Sequence, residues 1–467
     1  MTAAEPKPAA TGELNSTSRP AALSGLDAIR DDLADLYRDL HAHPELSFEE
    51  HRTAAEVARR AASYGYEVTT GVGRTGVVAV LTNDGAKPDG GAEPHGCVKR
   101  NSGAEPDSRP EPADRTPKPA AGPTVLLRAD MDALPVAERT GLPYASRTDG
   151  VMHACGHDMH VTCLLGALKL LADARGDWSG RIVAVFQPAE EAGQGAQEMV
   201  DDRFYERFGT PDVVLGQHVA PLPAGMIGAH PGAAFAATDA LRVRLFGKGG
   251  HGSRPETTID PVVLAASTVM RLQTVVSREI AGGETAVVTV GSVRAGTKHN
   301  IIPDEAELQL NIRTYTPEVR TRVLAAVERI IRGEAATAGA EKEPEITEID
   351  TFPVVINDAD AVDRTMAAIS AVLGTERVVD PGQVTGSEDV GIFATAAQGH
   401  VPLCYWLFGG ADADDVIAAQ RAGTFERDIP SNHSPSFAPL VEPTLTTGVT
   451  ALTTAALAWL DGGRPAV

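Results

Sequence analysis

The chain has 467 residues, with 41 Lys and Arg against 63 Asp and Glu, a formal net charge of −22; 43% of residues are hydrophobic and 22% charged. That balance is ordinary for a soluble globular protein, and the length calls for two domains rather than one. The acidic surface repels nucleic acid and anionic membranes, no basic stripe offsets it, and no long apolar run suits a membrane span, so a small molecule is the expected partner.

Residues 1–22, rich in Ala, Pro, Ser and Thr, read as a disordered tail without the basic and apolar regions of a signal peptide. Leu26, Ile29, Leu33, Leu36 and Leu40 fall at helical spacing, and Pro44 stops that helix. "GVVAVL" (76–81) and "TVLLRAD" (124–130) read as buried strands. Between them, residues 85–123 hold 8 Pro and 6 Gly, no Leu, Ile or Phe, and six charges of each sign. Such a segment buries too little apolar surface to offset its ordering entropy and reads as a disordered insertion.

"VTCLLGALKLLADA" gives a helix with Val161, Leu164, Leu165, Leu168 and Leu171 on one face, where Cys163 also lies as a core residue. "RIVAVFQ" and "DVVLGQHV" are further strands. This alternation predicts an α/β fold, a mixed and mostly parallel sheet with helices on both faces. From about residue 234 the order becomes strand, helix, two strands, helix, strand, ending at "EPEITEIDTF". That is a ferredoxin-like α+β domain inserted at 234–351 into a catalytic domain made of 23–233 and 352–467.

Polar clusters recur where strands of the larger domain end: "RADMD", "HACGHD", "QPAEE", "GQHV", "GSED" and "NHS". In open α/β sheets ligands bind beyond the carboxyl ends of the strands, so these clusters are expected to converge. Together they offer His, Cys, Glu and Asp, the donors of Zn, Mn, Co or Ni. Cys155 and His157 lie two apart on a loop before a helix, and a thiolate there could bridge two dications. The adjacent Glu190 and Glu191 point in different directions, so one can bind metal while the other faces water. Cys97, Cys155, Cys163 and Cys404 are otherwise scattered, which fits a reducing, cytoplasmic setting.

The run "LHAHPELSFEE", "LLRADMDALP", "HACGHDMH", "QPAEE", "GKGGHGSRPE", "HNIIPDEAEL", "GSED" and "SNHSPSFAP" resembles the dinuclear metallohydrolase superfamily of aminoacylases and glutamate carboxypeptidases. Within it the pattern resembles the hippurate hydrolase and indole-acetyl-amino-acid amidohydrolase branch. The resemblance covers nearly all of residues 24–460 and implies a zinc-exopeptidase-like sheet. It implies two divalent metal ions per subunit, with Cys155 bridging, Glu191 and His433 on one ion, and His157 and His218 on the other. By the same resemblance Glu190 is the general base and Asp132 orients a ligand. Asp130 stands where other branches have a ligand His. His251 donates to the oxyanion in a partner subunit's site, and Asn300, Arg313 and Gly386 bind substrate. The inserted domain is then lid and homodimer contact.

The implied reaction is hydrolysis of an N-acyl-amino acid to a carboxylic acid and an amino acid. Small-peptide carboxypeptidase or dipeptidase activity, or a catalytically inactive binding protein, are the alternatives. A zinc deaminase needs H-x-E together with P-C-x-x-C, a combination the chain lacks. Less pointed readings remain for other groups. His41 and His43 read as a helix end, and His153 and His160 as supports behind the site or solvated side chains. His299 reads as packing, and Glu388 and Asp389 as support.

Overall fold

The computed structural model describes residues 20–85 and 122–460. Most of the expected tail and of the 85–123 insertion lies outside these residues, although Ala22 is already buried.

The larger sheet begins with β1 (Glu67–Val72), β2 (Gly76–Asn83), β3 (Thr124–Asp130), β4 (Gly180–Gln187) and β5 (Val213–Pro223). Its order is β1-β2-β4-β3-β5, followed by the strands Leu403–Ala411, Ile227–Gly228 and Val378–Val379. The centre is parallel, β4 to β3 to β5 to Leu403–Ala411, while β1 and β2 are antiparallel additions at one edge. Alternation along each strand splits the apolar side chains between two faces. Ile182, Ala184 and Phe186 of β4 join the core under α1 (Leu26–Ala42), α2 (His51–Ser63), α3 (His157–Asp173) and the helix Thr444–Leu460. Val183 and Val185 face the opposite core, built with Met199, Phe204 and Phe393. Strands buried on both faces read as continuous apolar runs, which is why "RIVAVFQ" carries so little polarity.

The second sheet is wholly antiparallel, in the order Ala286–Ala295, Glu305–Thr314, Ala237–Phe246 and Glu345–Phe352. One face packs Val243, Leu245, Leu308 and Leu310 against Leu264, Leu272, Val319 and Val323 of the helices Pro261–Thr274 and Pro317–Thr337. Both helices start on a side-chain cap: Asp260 accepts from the Val262 N–H and Thr316 from the Val319 N–H. The fold is thus α/β with an inserted ferredoxin-like unit, as the alternation of elements predicts. Among the described residues no helix is long and apolar enough to cross a membrane.

Candidate metal centre

β3 and β4 end on one side in stretches that carry "RADMD" and "QPAEE". The expectation that every cluster ends a strand is corrected for "GQHV", which lies within β5, and for "GSED" and "NHS", which lie on loops that follow none of the central parallel strands directly. β3 delivers Arg128 and Asp130 and then Asp132. β4 runs into the loop 188–194 with Glu190 and Glu191, and β5 carries His218. α3 starts at His157 behind Gly156, whose φ of 86° brings the chain so close to β5 that a Cβ there would meet Val219 Cγ1 at 2.3 Å. Cys155 and His157 flank this glycine, and its closeness to β5 sets them beside His218. His433 sits at a φ of 69°, its N–H bonded to the Ala154 carbonyl at 2.8 Å, so the "NHS" loop is tied to the cysteine loop. Asn432 adds hydrogen bonds of 3.1 Å to the carbonyls of Cys155 and Val219.

The result is one cluster. Ligand atoms of Cys155, His157 and His218, of Cys155, Glu191 and His433, and of His157, Glu190 and Glu191 each lie within 4.8 Å of one another. Cys155 Sγ is 3.5 Å from His218 Nε2, and His433 Nε2 is 3.3 Å from Glu191 Oε1. Among the described residues His157 Nε2 has no hydrogen-bond partner, with Asp130 Oδ2 at 3.7 Å, Glu191 Oε1 at 3.8 Å and Glu190 Oε2 at 3.9 Å.

Tautomers follow from the partners. His157 Nδ1 faces Asp132 Oδ1 at 3.3 Å and His218 Nδ1 faces the Val219 carbonyl at 2.7 Å. Both partners are acceptors, so each Nδ1 carries a proton and each Nε2 faces the cluster. Burial lowers the pKa of His157, but Asp130, Asp132 and Glu191 outweigh it and raise it to about 10, so its Nε2 would release a proton on ligating a cation. His160 is different: its Nε2 accepts from the Val219 N–H at 2.8 Å and its Nδ1 donates to Asp130 Oδ1 at 2.6 Å. With both nitrogens committed it cannot ligate, although it lies within ligand distance of Asp130 and His157.

Asp132 is the hub. Besides His157 it accepts from the N–H groups of Glu190 (3.0 Å) and Glu191 (3.1 Å) and from Ser47 Oγ (2.7 Å). Behind it, the fully buried Arg128 donates to Asp130 (2.6 Å), Gln187 (2.9 Å) and Glu388 (2.7 Å), with Asp389 at 3.2 Å. Glu388 and Asp389 also lie within 4.8 Å of Glu190. Burial first, and then Glu388 and Glu191, push the Glu190 carboxyl well above its ordinary range. Burial, followed by Glu191 and Glu190, raises the Cys155 thiol likewise.

The donor set fits a pair of dications. A buried polar atom without a partner costs about 1–3 kcal/mol. Here two such atoms, His157 Nε2 and Glu191 Oε1, face the same space as a thiol and two further imidazoles. Sulfur, imidazole and carboxylate together suit late first-row metals.

The residues placed on the inserted unit do not join this cluster. His251 is exposed on the two-residue strand Gly250–His251, which pairs with Ile301–Ile302. The Ser253 N–H donates to its Nδ1 at 3.1 Å, so its proton sits on Nε2. Asn300 is exposed beside it, its carbonyl accepting from the Gly252 N–H at 2.9 Å. Arg313 bonds to Asn311 (3.1 Å), Ser387 (3.1 Å) and the Thr385 carbonyl, bracketing Gly386, whose own carbonyl accepts from the Ala236 N–H.

The solvated alternatives for His153 and His160 are corrected, since both are buried. Among the described residues neither ring nitrogen of His153 has a partner, and burial lowers its pKa to about 4. His41 is more than a helix end. It lies buried between Asp158 (2.7 Å) and Glu138 (3.3 Å), whose hydrogen bonds outweigh the cost of burial and raise it to about 10. Arg128, Ser47, Glu50 and Asn432 lie inside the quoted motifs "RADMD", "LHAHPELSFEE" and "SNHSPSFAP", but sequence reasoning gave them no role; their place in those motifs was the signal available.

Residues 126–430 match the sequence profile of peptidase family M20/M25/M40. A hippurate hydrolase of Campylobacter jejuni is 35% identical over 356 residues, 76% of this chain and 82% of that one. Thermostable carboxypeptidase 1 of Saccharolobus solfataricus is 35% identical over 375 residues, 79% of this chain and 85% of that one. Among solved structures, a Bacillus subtilis protein described as a dinuclear metal binding peptidase from the M20 family superposes with a TM-score of 0.68 at 28% identity, covering 93% of this chain and 99% of that one. The chain belongs to peptidase family M20/M25/M40, and it is a hydrolase of the amidohydrolase and peptidase type.

Proposed function

We propose that the chain is a metal-dependent amidohydrolase that cleaves N-acyl-amino acids, hippurate-like or related conjugates, into a carboxylic acid and an amino acid. The observation that carries the reading is the cluster of Cys155, His157, Glu191, His218 and His433 around unpartnered donor atoms, with Glu190 beside it. Cys155, Glu191 and His433 would hold one dication, Cys155, His157 and His218 the other, with the sulfur shared. When bound, such a pair polarises a carbonyl and acidifies water. Glu190 takes the proton of the attacking water and returns it to the leaving amine, a task suited to a carboxyl whose pKa is raised. Asp132 holds His157 and both glutamate peptides in register.

In this reading His251 Nε2–H donates to the oxyanion of a partner subunit's substrate. Asn300 and Arg313 bind its carboxylate end, and Gly386 contributes to the substrate site. Residues 234–351 form a lid and homodimer contact on a catalytic domain of 23–233 and 352–467. A second copy suits the exposed edge strand Ala286–Ala295, with Val293 at 55% exposure, and the adjoining helix face with Val263 and Met270. The proposed setting is the cytoplasm, where Cys155 stays reduced until metal binds it. A second reading, a small-peptide carboxypeptidase, is favoured by the similarity to the carboxypeptidase of Saccharolobus solfataricus.

Metal analysis combined with hydrolysis of a panel of N-acetyl, N-benzoyl and N-indolylacetyl amino acids and dipeptides tests the reading. Stoichiometric metal and turnover of the acyl-amino acids are expected. A chain that takes up no metal, or a Glu190→Gln variant with unchanged turnover, overturns it.

A further inference from the structure

The segment "PELSFEE" lies against the centre without belonging to it. Ser47 bonds to Asp132, and Glu50, wholly buried, reaches the loop that carries the two glutamates. Glu50 has no cation partner among the described residues, an expensive arrangement for a carboxylate unless its lone pairs are needed where they are. Its Oε1 accepts from the N–H groups of Ala189 and Phe48, both at 2.9 Å, and its Oε2 from Thr75 Oγ1 at 2.5 Å.

Ala189 is the residue before Glu190, and its φ is 48°, a left-handed conformation that a non-glycine residue resists. Around it the loop folds back tightly. The Gly195 N–H reaches the Ala189 carbonyl at 3.1 Å, the Gly193 N–H reaches the Glu190 carbonyl at 2.7 Å, and a Cβ on Gly195 would lie 1.6 Å from the Pro188 carbonyl oxygen. The three successive N–H groups of residues 189, 190 and 191 therefore all end on carboxylates, the first on Glu50 and the other two on Asp132. Asp132 also serves His157, so its aim is set by the centre; Glu50 is the tether from outside it. Phe48, on the same oxygen, has a φ of 65° and carries the Arg74 guanidinium 3.7 Å above its ring, which holds the tether's own loop in place.

We propose that Glu50 is a positioning residue for the hydrolytic reaction: its Oε1 holds the Ala189 peptide in its left-handed conformation and so fixes the direction of the Glu190 carboxylate. The proposal rests on Glu190 being the base. What it requires of residue 50 is an acceptor in place, not a charge, and that separates it from a general structural or electrostatic role.

The test is a series at position 50 in the metal-loaded protein, using N-acetyl and N-benzoyl amino acids as substrates. Glu50→Gln keeps an oxygen for both N–H groups and stays within about threefold of the native kcat. Glu50→Asp keeps the charge but withdraws the oxygen by one methylene, and loses about tenfold. Glu50→Met fills the space with no acceptor and loses about 100-fold, the scale of a misplaced catalytic group. KM and metal content stay unchanged throughout. Amide exchange across 187–195, read by mass spectrometry, rises in the Asp and Met variants and not in Gln. Adding Ala189→Gly, which takes this φ without strain, restores part of the loss in Glu50→Met.

An Asp variant more active than Gln, a folded Met variant with native kcat, or exchange unaltered across the series overturns the proposal. If the Met variant does not fold, the order of Gln and Asp still decides. Failure of the base itself looks different: Glu190→Gln then stays active while the exchange pattern still follows position 50.

Discussion

His157 and His218 sit in the crevice of the large sheet with their Nδ1 atoms committed to Asp132 and to the Val219 carbonyl, whereas His251 stands exposed on the inserted unit with its Nδ1 on the neighbouring Ser253. The same contrast runs through the two groups they belong to. Donors in the crevice are tethered from behind, by Asp132, Asn432 and the Val219 carbonyl, and their free atoms face one another. Asn300 and His251 face solvent, and Arg313 is occupied with Thr385 and Ser387. The candidate metal donors are already gathered within one chain. Groups proposed to bind substrate can wait for a second surface, by closure or from a proposed partner subunit, to complete them.

That comparison can be broken at several points. The largest effect is expected in the crevice: Glu190→Gln lowers kcat by about 10³–10⁴-fold with metal content unchanged by elemental analysis. Next comes the exposed unit, where His251→Ala lowers kcat by about 10²–10³-fold and leaves metal affinity alone. A matching loss of metal would show that His251 belongs to the crevice after all. Asp132→Asn leaves one acceptor oxygen where His157, Ser47 and the Glu190 and Glu191 N–H groups now share two, which loosens the His157 tautomer and is expected to weaken metal binding by about 10–100-fold, measured by competition with a chelator.

The smallest effect concerns the buried His41 between Asp158 and Glu138. Its pKa is raised on folding, from 6.5 to about 10. Its contribution to stability is therefore complete below about pH 6.5 and fades as pH rises toward 10. Thermal unfolding of His41→Gln should show a lower Tm at neutral pH and a shallower decline of Tm between pH 7 and 9 than the native chain; parallel curves would remove His41 from the account.

The main strands were legible because burial on both faces leaves continuous apolar runs. "TVLLRAD" is β3 residue for residue, and α1 ends at Ala42, two residues before Pro44. What went unread has physical reasons. α2 buries only Thr53, Ala54, Val57 and Ala61, side chains too small to print a helical stripe. β1 is an edge strand with most residues outside the core. In the centre, the residues the resemblance singles out recur in short quotable motifs, and the structure gathers Cys155, His157, Glu190, Glu191, His218 and His433. The roles of the groups that aim them were invisible for a different reason. Arg128 meets Glu388 across 260 positions, Asn432 meets Cys155 across 277, and Glu50 meets Ala189 across 139. No local pattern records such a contact. His41 does end α1 as expected, but its buried partner Asp158, 117 residues distant, left no local trace.

The account turns on one shared sulfur, and cobalt substitution addresses it directly. The chain loaded with Co²⁺ is expected to bind two ions and to show a sulfur-to-metal charge-transfer band that grows over both equivalents and is lost in Cys155→Ser. A single ion per chain, or a band that survives that substitution, would contradict it.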